Sequence, residues 1–215
     1  MIFIANPNNP TGTMISYEEI IELHSNLPSN ILLVIDEAYI EYVNDKNYLS
    51  TFDLVKNSNN IVVTRTFSKA YGLAGLRVGW AYCPDNVINI LERLRIPFSV
   101  NSTAQKVAVA AIEDQDHIIF SVNHNNIWLS KINYELSKLG YLVTPSNCNF
   151  ILIEVPKFLE FDADYIFEFL FSKGIIVRQM HEYNLPNYLR ITIGTEEANN
   201  LIIQSLKELS DNNEK

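Results

Sequence analysis

Short, continuous apolar runs alternate with longer amphipathic stretches through the first part of the chain. Four of these runs predict buried strands of one layer: Met1–Ala5, Ile31–Ile35, Asn60–Arg65 and Ala81–Cys83. Between the first two runs, Ser16 and Glu19 have the spacing of a helix capping box, which predicts a helix from Tyr17 to about Asn26. Continuous apolar strands that are joined by helices are typical of a parallel sheet covered on both faces.

The second part of the chain has a different order of patterns. Helices are predicted from Pro84 to Arg95 and, as one or two segments with a loose break near Asp114–Asp116, from Ser102 to about Gly140. Strands and helices then mix, as is typical of an α+β domain: strands at Tyr141–Val143, Asn149–Val155, Ile175–Gln179 and Tyr188–Ile193, helices at Ala163–Ser172 and Glu196–Leu209, and a helix stop at Gly174. We therefore expect a large domain over residues 1–100, a helical connection over 101–130 and a small domain over 131–212.

The bulk composition excludes several classes of protein. The chain has 215 residues, of which 47% are hydrophobic and 19% charged, as in an ordinary soluble globular protein. A net charge of -9 argues against a nucleic-acid surface, and no apolar run is long enough for a membrane span. Cys83 and Cys148 lie far apart and favour reduced thiols in a cytoplasmic protein. The histidines show no metal-ligand spacing, so we expect no metal site.

Chemically capable side chains follow the predicted strands. Asp36 ends the run Ile31–Ile35, at the strand end where open α/β sheets bind ligands, and Lys69 and Arg77 follow the next strand. A lysine that forms an imine, a carboxylate for a pyridinium nitrogen and an arginine for a phosphate make a pyridoxal-phosphate site. Taken alone, each of these residues more often has a structural role than a catalytic or cofactor-binding one. The combination, preceded by the turn Asn8–Gly12, is what predicts the cofactor.

Each residue of this predicted site has its own role. Lys69 is the candidate nucleophile and later the proton carrier, and its amine must be neutral to attack an aldehyde. Asp36 would keep the ring nitrogen protonated, and Tyr39 or Asn9 would reach the phenolic oxygen of the ring. The cofactor phosphate would contact three side chains: Arg77, Thr66 and Ser68.

Two arginines occupy apolar strands of the second part of the chain. Arg190 lies within Tyr188–Ile193, where burial without a counter-ion would be costly. An anionic substrate group and an internal carboxylate are comparable explanations for it. Arg178 raises the same question, and its context slightly favours a surface role. Asn149 either lines the cleft or serves the turn before its strand.

These motifs resemble those of the fold-type I pyridoxal-phosphate aminotransferases, in the histidinol-phosphate aminotransferase branch. The resemblance extends from Met1 to about Leu209 and rests on four segments: Asn6–Thr13, Asp36–Tyr39, Thr66–Gly79 and Leu189–Thr195. It implies a three-layer α/β sandwich with a mostly parallel sheet, followed by a small α+β domain. It also implies transfer of an amino group between histidinol phosphate and 2-oxoglutarate, within a homodimer of the full-length protein.

The resemblance carries roles over to individual residues. It implies that the cofactor contacts Asn9, Asp36, Tyr39, Thr66, Ser68, Lys69 and Arg77. It implies that Arg190 contacts a substrate anion, and it raises the expectation that Arg178 faces a substrate phosphate. The motifs alone do not separate this activity from that of an aromatic aminotransferase or a threonine-phosphate decarboxylase of the same fold.

One departure from the family pattern concerns the start of the chain. Members of the family carry an arm and the first part of the large domain, with half of the phosphate cup, before the Asn-Pro motif. Here that motif begins at Asn6, so we expect a shortened large domain with an exposed apolar edge or face, and weak cofactor binding by this chain alone. A non-catalytic remnant that binds a partner subunit is the alternative from a different class.

Overall fold

The computed structural model describes residues 1–44, 48, 51–156 and 161–213, which form two compact units. Unit 1 consists of Met1–Asn8 and Met14–Val122, and unit 2 of Asn9–Thr13 and Asn123–Lys215. The Asn-Pro motif is therefore divided between the units. Among the described residues, no helix has the length and apolar character needed to cross a bilayer.

Unit 1 is built on a four-stranded sheet. Its strands are β1 (Ile2–Ala5), β2 (Leu33–Asp36), β3 (Ile61–Thr66) and β4 (Gly79–Tyr82), in the order β1-β2-β3-β4. The first three strands are parallel and β4 is antiparallel to β3. The carboxyl ends of β1, β2 and β3 thus meet at one edge of the sheet, where Asp36 is paired in register with Thr64.

Helices follow the strands of unit 1, and all of them except the short helix Phe52–Lys56 were predicted from the sequence. They are α1 (Tyr17–Ser25), α2 (Phe52–Lys56), α3 (Asp85–Leu94), α4 (Ser102–Glu113) and α5 (Gln115–Lys138), the last of which ends in unit 2. The capping box at the start of α1 is confirmed, since the Glu19 amide donates to Ser16 Oγ and the Ser16 amide donates to the Glu19 carboxylate. Ile20 of α1 packs in a core with Leu33 and Ile35 of β2 and residues of β3.

Unit 2 contains a separate antiparallel sheet. Its strands are β5 (Leu142–Thr144), β6 (Phe150–Glu154), β7 (Arg178–Gln179) and β8 (Tyr188–Thr192), in the order β5-β6-β8-β7. The helices are α6 (Ala163–Ser172) and α7 (Glu196–Asn213), together with the end of α5. Apolar side chains from all three helices and from β6 and β8 form one core, with Ile132, Ile153 and Leu206 fully buried.

The fold class predicted from the sequence is confirmed: a mostly parallel α/β sheet, and a separate antiparallel sheet with helices. The strand predicted over Ile175–Gln179 is wrong for its first three residues, since only Arg178–Gln179 pairs with β8. The reason is local. Gly174 ends α6 with φ +78°, and the amide of Ile175 donates to the carbonyl of Leu170, so the helix end occupies this backbone. Helix α7 also continues to Asn213, beyond the predicted end at Leu209.

Candidate functional site

Asp36 stands at the carboxyl end of the parallel strands of unit 1. Its carbonyl accepts a hydrogen bond of 2.9 Å from the amide of Asn6, which continues the β1–β2 pairing beyond the strand. Its side chain is exposed, and Oδ1 accepts a hydrogen bond of 3.1 Å from Thr64 Oγ1 on β3. The sheet therefore presents a fixed carboxylate at the edge where open α/β sheets bind ligands.

Lys69 and Tyr39 lie next to each other in unit 1. Lys69 Nζ is 4.9 Å from the centroid of the Tyr39 ring, within the range of a cation–π contact. Tyr39 is buried and Lys69 is half-buried. In the described part of the chain, no carboxylate lies within ion-pair distance of Nζ. A lysine in this position has an amine without a competing acidic partner.

The loop that follows β3 gathers the predicted phosphate-binding side chains. Thr66 Oγ1 accepts a hydrogen bond of 3.0 Å from the amide of Ser68. Arg77 Nη1 donates to the carbonyl of Ala74 at 2.8 Å and, at 3.4 Å, to the hydroxyl of Ser68. The buried ring of Phe67 anchors the loop. Two hydroxyls and one guanidinium of this loop are thus held near one another, which is a suitable set of donors for a phosphate.

A close approach of two backbones fixes the end of this loop. A Cβ atom at Gly79 would lie 2.7 Å from the carbonyl oxygen of Arg65, on the neighbouring strand. No side chain fits there unless the β3–β4 pairing shifts. Gly79 therefore lets the loop return directly into β4.

Sequence reasoning missed a buried ionic network on unit 1. Glu37 is fully buried, and its Oε2 accepts hydrogen bonds from Arg65 Nε at 2.9 Å and Nη2 at 2.7 Å. Thr51 Oγ1 donates to the other carboxylate oxygen at 2.5 Å, and the Arg65 guanidinium lies 4.4 Å from the centroid of the Phe52 ring. A signal was present in the sequence, because an arginine at the end of an apolar strand requires a counter-ion.

A second carboxyl group, Glu41, lies close to this network. Its Oε2 is buried, and no described residue forms a hydrogen bond with it. Burial raises the pKa of Glu41, and the charge of Glu37 adds to the increase while that of Arg65 opposes it. The pKa of Tyr71 is raised by burial and by the negative charge of Glu41. The turn that follows Asp36 thus carries a carboxyl group for which ionisation is costly.

In unit 2, Arg178 and Arg190 are directly paired residues of β7 and β8. Arg190 Nη1 donates to Oδ1 of Asn9, and its guanidinium carbon lies 4.8 Å from the centroid of the Phe150 ring. Arg190 Nε is buried and has no hydrogen-bond partner in the part of the chain that the structure describes. Arg178 is half-exposed, and its Nη2 lies 3.0 Å from the carboxylate of Glu182. Among the described residues, Arg178 thus pairs with a carboxylate, whereas Arg190 contacts only neutral groups and keeps one buried donor unused.

The short segment Asn9–Thr13 is attached to the turn before β6. The Asn147 amide donates to the carbonyl of Gly12 at 2.8 Å, and a Cβ atom at Gly12 would lie 2.4 Å from Ser146 Oγ. Asn149 lies in the bend before β6, where its carbonyl accepts from the amide of Ile193 at 2.9 Å. The backbone of Asn149 thus continues the β6–β8 pairing by one hydrogen bond beyond the strands.

The structure distributes the predicted site residues between the two units. Unit 1 holds the lysine, the carboxylate and the hydroxyl–guanidinium loop: Asp36, Tyr39, Thr66, Ser68, Lys69 and Arg77. Unit 2 holds the remaining four: Asn9, Asn149, Arg178 and Arg190. Over the residues that the structure describes, no group of three histidine, cysteine, aspartate or glutamate side chains could hold a metal ion.

Comparison with known proteins identifies the family. The family model for aminotransferases of class I and II matches residues 1–206, and the chain belongs to this family. It is 49% identical over 208 residues to the histidinol-phosphate aminotransferase of Paramagnetospirillum magneticum, and 44% identical over 208 residues to that of Rhodopseudomonas palustris. Both alignments cover 97% of this chain. The family match thus gives the class of protein, an aminotransferase of class I or II.

A solved structure shows the same fold. The histidinol-phosphate aminotransferase of Sinorhizobium meliloti, in complex with pyridoxal-5'-phosphate, superposes with a TM-score of 0.87 at 28% identity. The match covers 98% of this chain and 57% of that one. This chain likewise spans 57% of the length of the two curated relatives.

Proposed function

We propose that this chain carries the cofactor and substrate contacts of a pyridoxal-phosphate-dependent aminotransferase, with histidinol phosphate as amino donor and 2-oxoglutarate as acceptor. The observation that carries the proposal is the position of Lys69, half-buried beside Tyr39 and without an acidic partner among the described residues. A structural lysine at such a position would be expected to pair with a carboxylate. The names of relatives at 43–49% identity support the choice of substrate.

The side chains of unit 1 fit pyridoxal phosphate in chemical type. When bound, this cofactor supplies an electron sink to the substrate carbon. Lys69 would hold it covalently, Asp36 would place a fixed anion by the ring nitrogen, and Tyr39 would reach the phenolic oxygen. The phosphate would be bound by the loop donors Thr66, Ser68 and Arg77, and Asn9 of unit 2 would contribute a further contact to the ring.

The same residues account for the proton transfer. Lys69 Nζ, once free of the cofactor, would carry a proton to and from the substrate carbon. The neighbouring ring of Tyr39 limits the positions that Nζ can take, since a cation–π contact favours the face of the ring. Because Asp36 receives a hydrogen bond from Thr64, its carboxylate would keep one orientation during the reaction.

The substrate contacts belong to unit 2. We assign a substrate anion to Arg190, whose buried Nε has no partner within the described structure. Arg178 would bind the substrate phosphate, and Asn149 would line the site. A homodimer and a cytoplasmic location complete the proposal. Cys83 and Cys148 are buried and form no disulfide with each other, which supports the latter, because disulfides are rare in a reducing compartment.

Covalent labelling tests the cofactor site directly. The chain is incubated with pyridoxal phosphate, reduced with borohydride and digested, and the pyridoxyl group is expected on Lys69. Lys106→Ala, which removes an exposed lysine of α4, should leave the label in place, whereas Lys69→Ala should abolish it. A label on another lysine, or no label, would refute the assignment.

Product analysis tests the reaction. The wild-type protein, loaded with pyridoxal phosphate and not reduced, is supplied with histidinol phosphate and 2-oxoglutarate, and glutamate formation is measured. O-Phosphothreonine is supplied in parallel, and carbon dioxide release is measured. Glutamate formation with no carbon dioxide supports the aminotransferase. Carbon dioxide release from O-phosphothreonine would instead identify a decarboxylase.

A further inference from the structure

Of the two paired arginines of unit 2, only Arg178 has a counter-ion among the described residues. Arg178 and Arg190 occupy directly opposed positions of the antiparallel strands β7 and β8, so their side chains lie on the same face of the sheet. Like charges at such positions repel each other. Arg190 contacts the neutral amide of Asn9 and the ring of Phe150, whereas Arg178 pairs with the carboxylate of Glu182.

The position of Glu182 is fixed by the turn that carries it. Glu182 lies in the 3-10 turn His181–Tyr183, directly after β7. Met180, which is fully buried, accepts hydrogen bonds at its carbonyl from the amides of Tyr183 at 3.0 Å and Leu185 at 3.2 Å. His181 Nε2 lies 2.8 Å from the carboxylate of Asp164 on α6. The backbone of Glu182 therefore stays near Arg178 whether or not their ion pair is formed.

The ion pair itself is weak and open to exchange. The side chain of Glu182 is 79% exposed and that of Arg178 is 47% exposed. Exposed pairs of this kind contribute little, because water and salt compete with them. A phosphate dianion can take two parallel hydrogen bonds from a guanidinium and is a stronger partner than a single carboxylate oxygen. An incoming phosphate must displace the Glu182 carboxylate, which would otherwise repel it.

We infer that Glu182 is a resident counter-ion of Arg178 that a phosphate group displaces, and that it thereby sets the affinity of this site for phosphate. The inference rests on the proposed function and deepens it: Glu182 determines how strongly the enzyme prefers a phosphate-bearing amino donor to one without a phosphate. It assigns Glu182 no contact with the substrate. Its role is to compete with other anions for Arg178, so that only a phosphate group displaces it.

Binding of inorganic phosphate to the full chain tests the inference without catalysis. Isothermal titration calorimetry is performed on the wild type, on Glu182→Gln and on Glu208→Gln. Glu208, whose side chain is 56% exposed, pairs with Lys173, so its substitution removes the same charge from another pair of unit 2. We expect phosphate to bind about two- to fivefold more tightly to the Glu182 variant and unchanged to the Glu208 variant.

A double-mutant cycle identifies the arginine involved. In an Arg178→Gln background, Glu182→Gln should no longer change phosphate affinity, because the displaced ion pair is absent. Unchanged or weaker phosphate binding by the single Glu182 variant would overturn the inference. So would an equal gain in the Glu208 variant, which would indicate a general charge effect, or the absence of phosphate binding in all variants.

Kinetics then separate this inference from the proposed function. If the protein transfers amino groups, Glu182→Gln should lower the KM for histidinol phosphate about two- to fivefold and leave the KM for histidinol unchanged. Equal changes for both donors would overturn the inference and leave the aminotransferase assignment intact. Failure of the wild type to transfer amino groups would refute the proposed function, while the calorimetric result would still decide the role of Glu182.

Discussion

The hydroxyl of Thr64 donates a hydrogen bond of 3.1 Å to Oδ1 of Asp36, and the two residues are directly paired in the parallel strands β3 and β2. The contact joins the two strand ends that precede Lys69 and Tyr39. An exposed carboxylate on a strand end can rotate, and a single donor on the next strand restricts it. Thr64 is therefore a positioning residue for the carboxylate that we assign to the cofactor ring.

Replacement of Thr64 by valine tests this relationship. Valine keeps the branched shape that suits a strand but cannot donate to Asp36. We expect pyridoxal phosphate to bind about two- to tenfold more weakly, since a single hydrogen bond has a net contribution of about 0.5–1.5 kcal/mol. Absorbance titration measures the dissociation constant, and Thr64→Ser, which retains the hydroxyl, is the matched control. Equal affinity of the valine variant and the wild type would contradict the role.

Loss of the Glu37 charge should destabilise unit 1 strongly. Glu37→Gln would leave Arg65, whose side chain is only 19% exposed, without its anion. Breaking a buried ion pair from one side costs about 3–5 kcal/mol. Hydrogen exchange of the β2 and β3 amides measures the local free energy of opening. Asp53→Asn, which breaks the exposed pair with Lys56, should change it by less than about 1 kcal/mol. Similar effects of both variants would show that the buried Glu37 pair contributes no more to the free energy of opening than an exposed pair does.

A methyl group at Gly79 should disrupt the β3–β4 pairing. In Gly79→Ala the new Cβ atom would lie 2.7 Å from the carbonyl oxygen of Arg65, so one strand must shift. We expect a loss of about 1–3 kcal/mol in the free energy of unfolding, measured by urea denaturation. Gly75→Ala is the control, because nothing lies within 4 Å of its added Cβ atom. A Gly79 variant as stable as the control would disprove the close approach.

Glu41 should make unit 1 less stable as the pH rises. Burial raises its pKa above 4.5, so the folded state holds its proton more tightly than the unfolded chain does. The cost of ionisation is absent below pH 4.5, develops as the pH rises through the folded pKa, and is constant above it. Glu41→Gln removes this cost. We expect a higher thermal midpoint than that of the wild type at pH 7 and a smaller difference at pH 4.

Glu19 is a control for this pH dependence, because its pKa is shifted in the opposite direction to that of Glu41. Hydrogen bonds from the backbone and side chain of Ser16 lower the pKa of Glu19, so its contribution is present above pH 4.5 and is lost as the pH falls. Glu19→Gln should therefore lower the midpoint at pH 7, in contrast to Glu41→Gln. A Glu41 variant that is destabilised at pH 7 would show that its carboxylate is satisfied in the folded protein.

The sequence by itself determined the elements whose signals are local. Continuous apolar runs specified the strands β1, β2 and β3, since a strand buried on both faces needs no polar alternation. Burial follows for Leu33–Ile35 of β2 and Ile61–Val63 of β3, whereas Phe3 of β1 is exposed. Ser16 and Glu19 specified the start of α1, since a capping box is complete within four residues. Four motif segments, Asn6–Thr13, Asp36–Tyr39, Thr66–Gly79 and Leu189–Thr195, were enough to predict the family and its cofactor.

Only the tertiary structure decided which distant residues meet. The partner of Arg65 is Glu37, and the residue opposite Arg178 is Arg190, because strand register joins positions that no local pattern relates. The same holds for Arg190 and Asn9, which are 181 positions apart. Local free energies select the elements, whereas the pairing of charges depends on long-range contacts that form only when the chain folds.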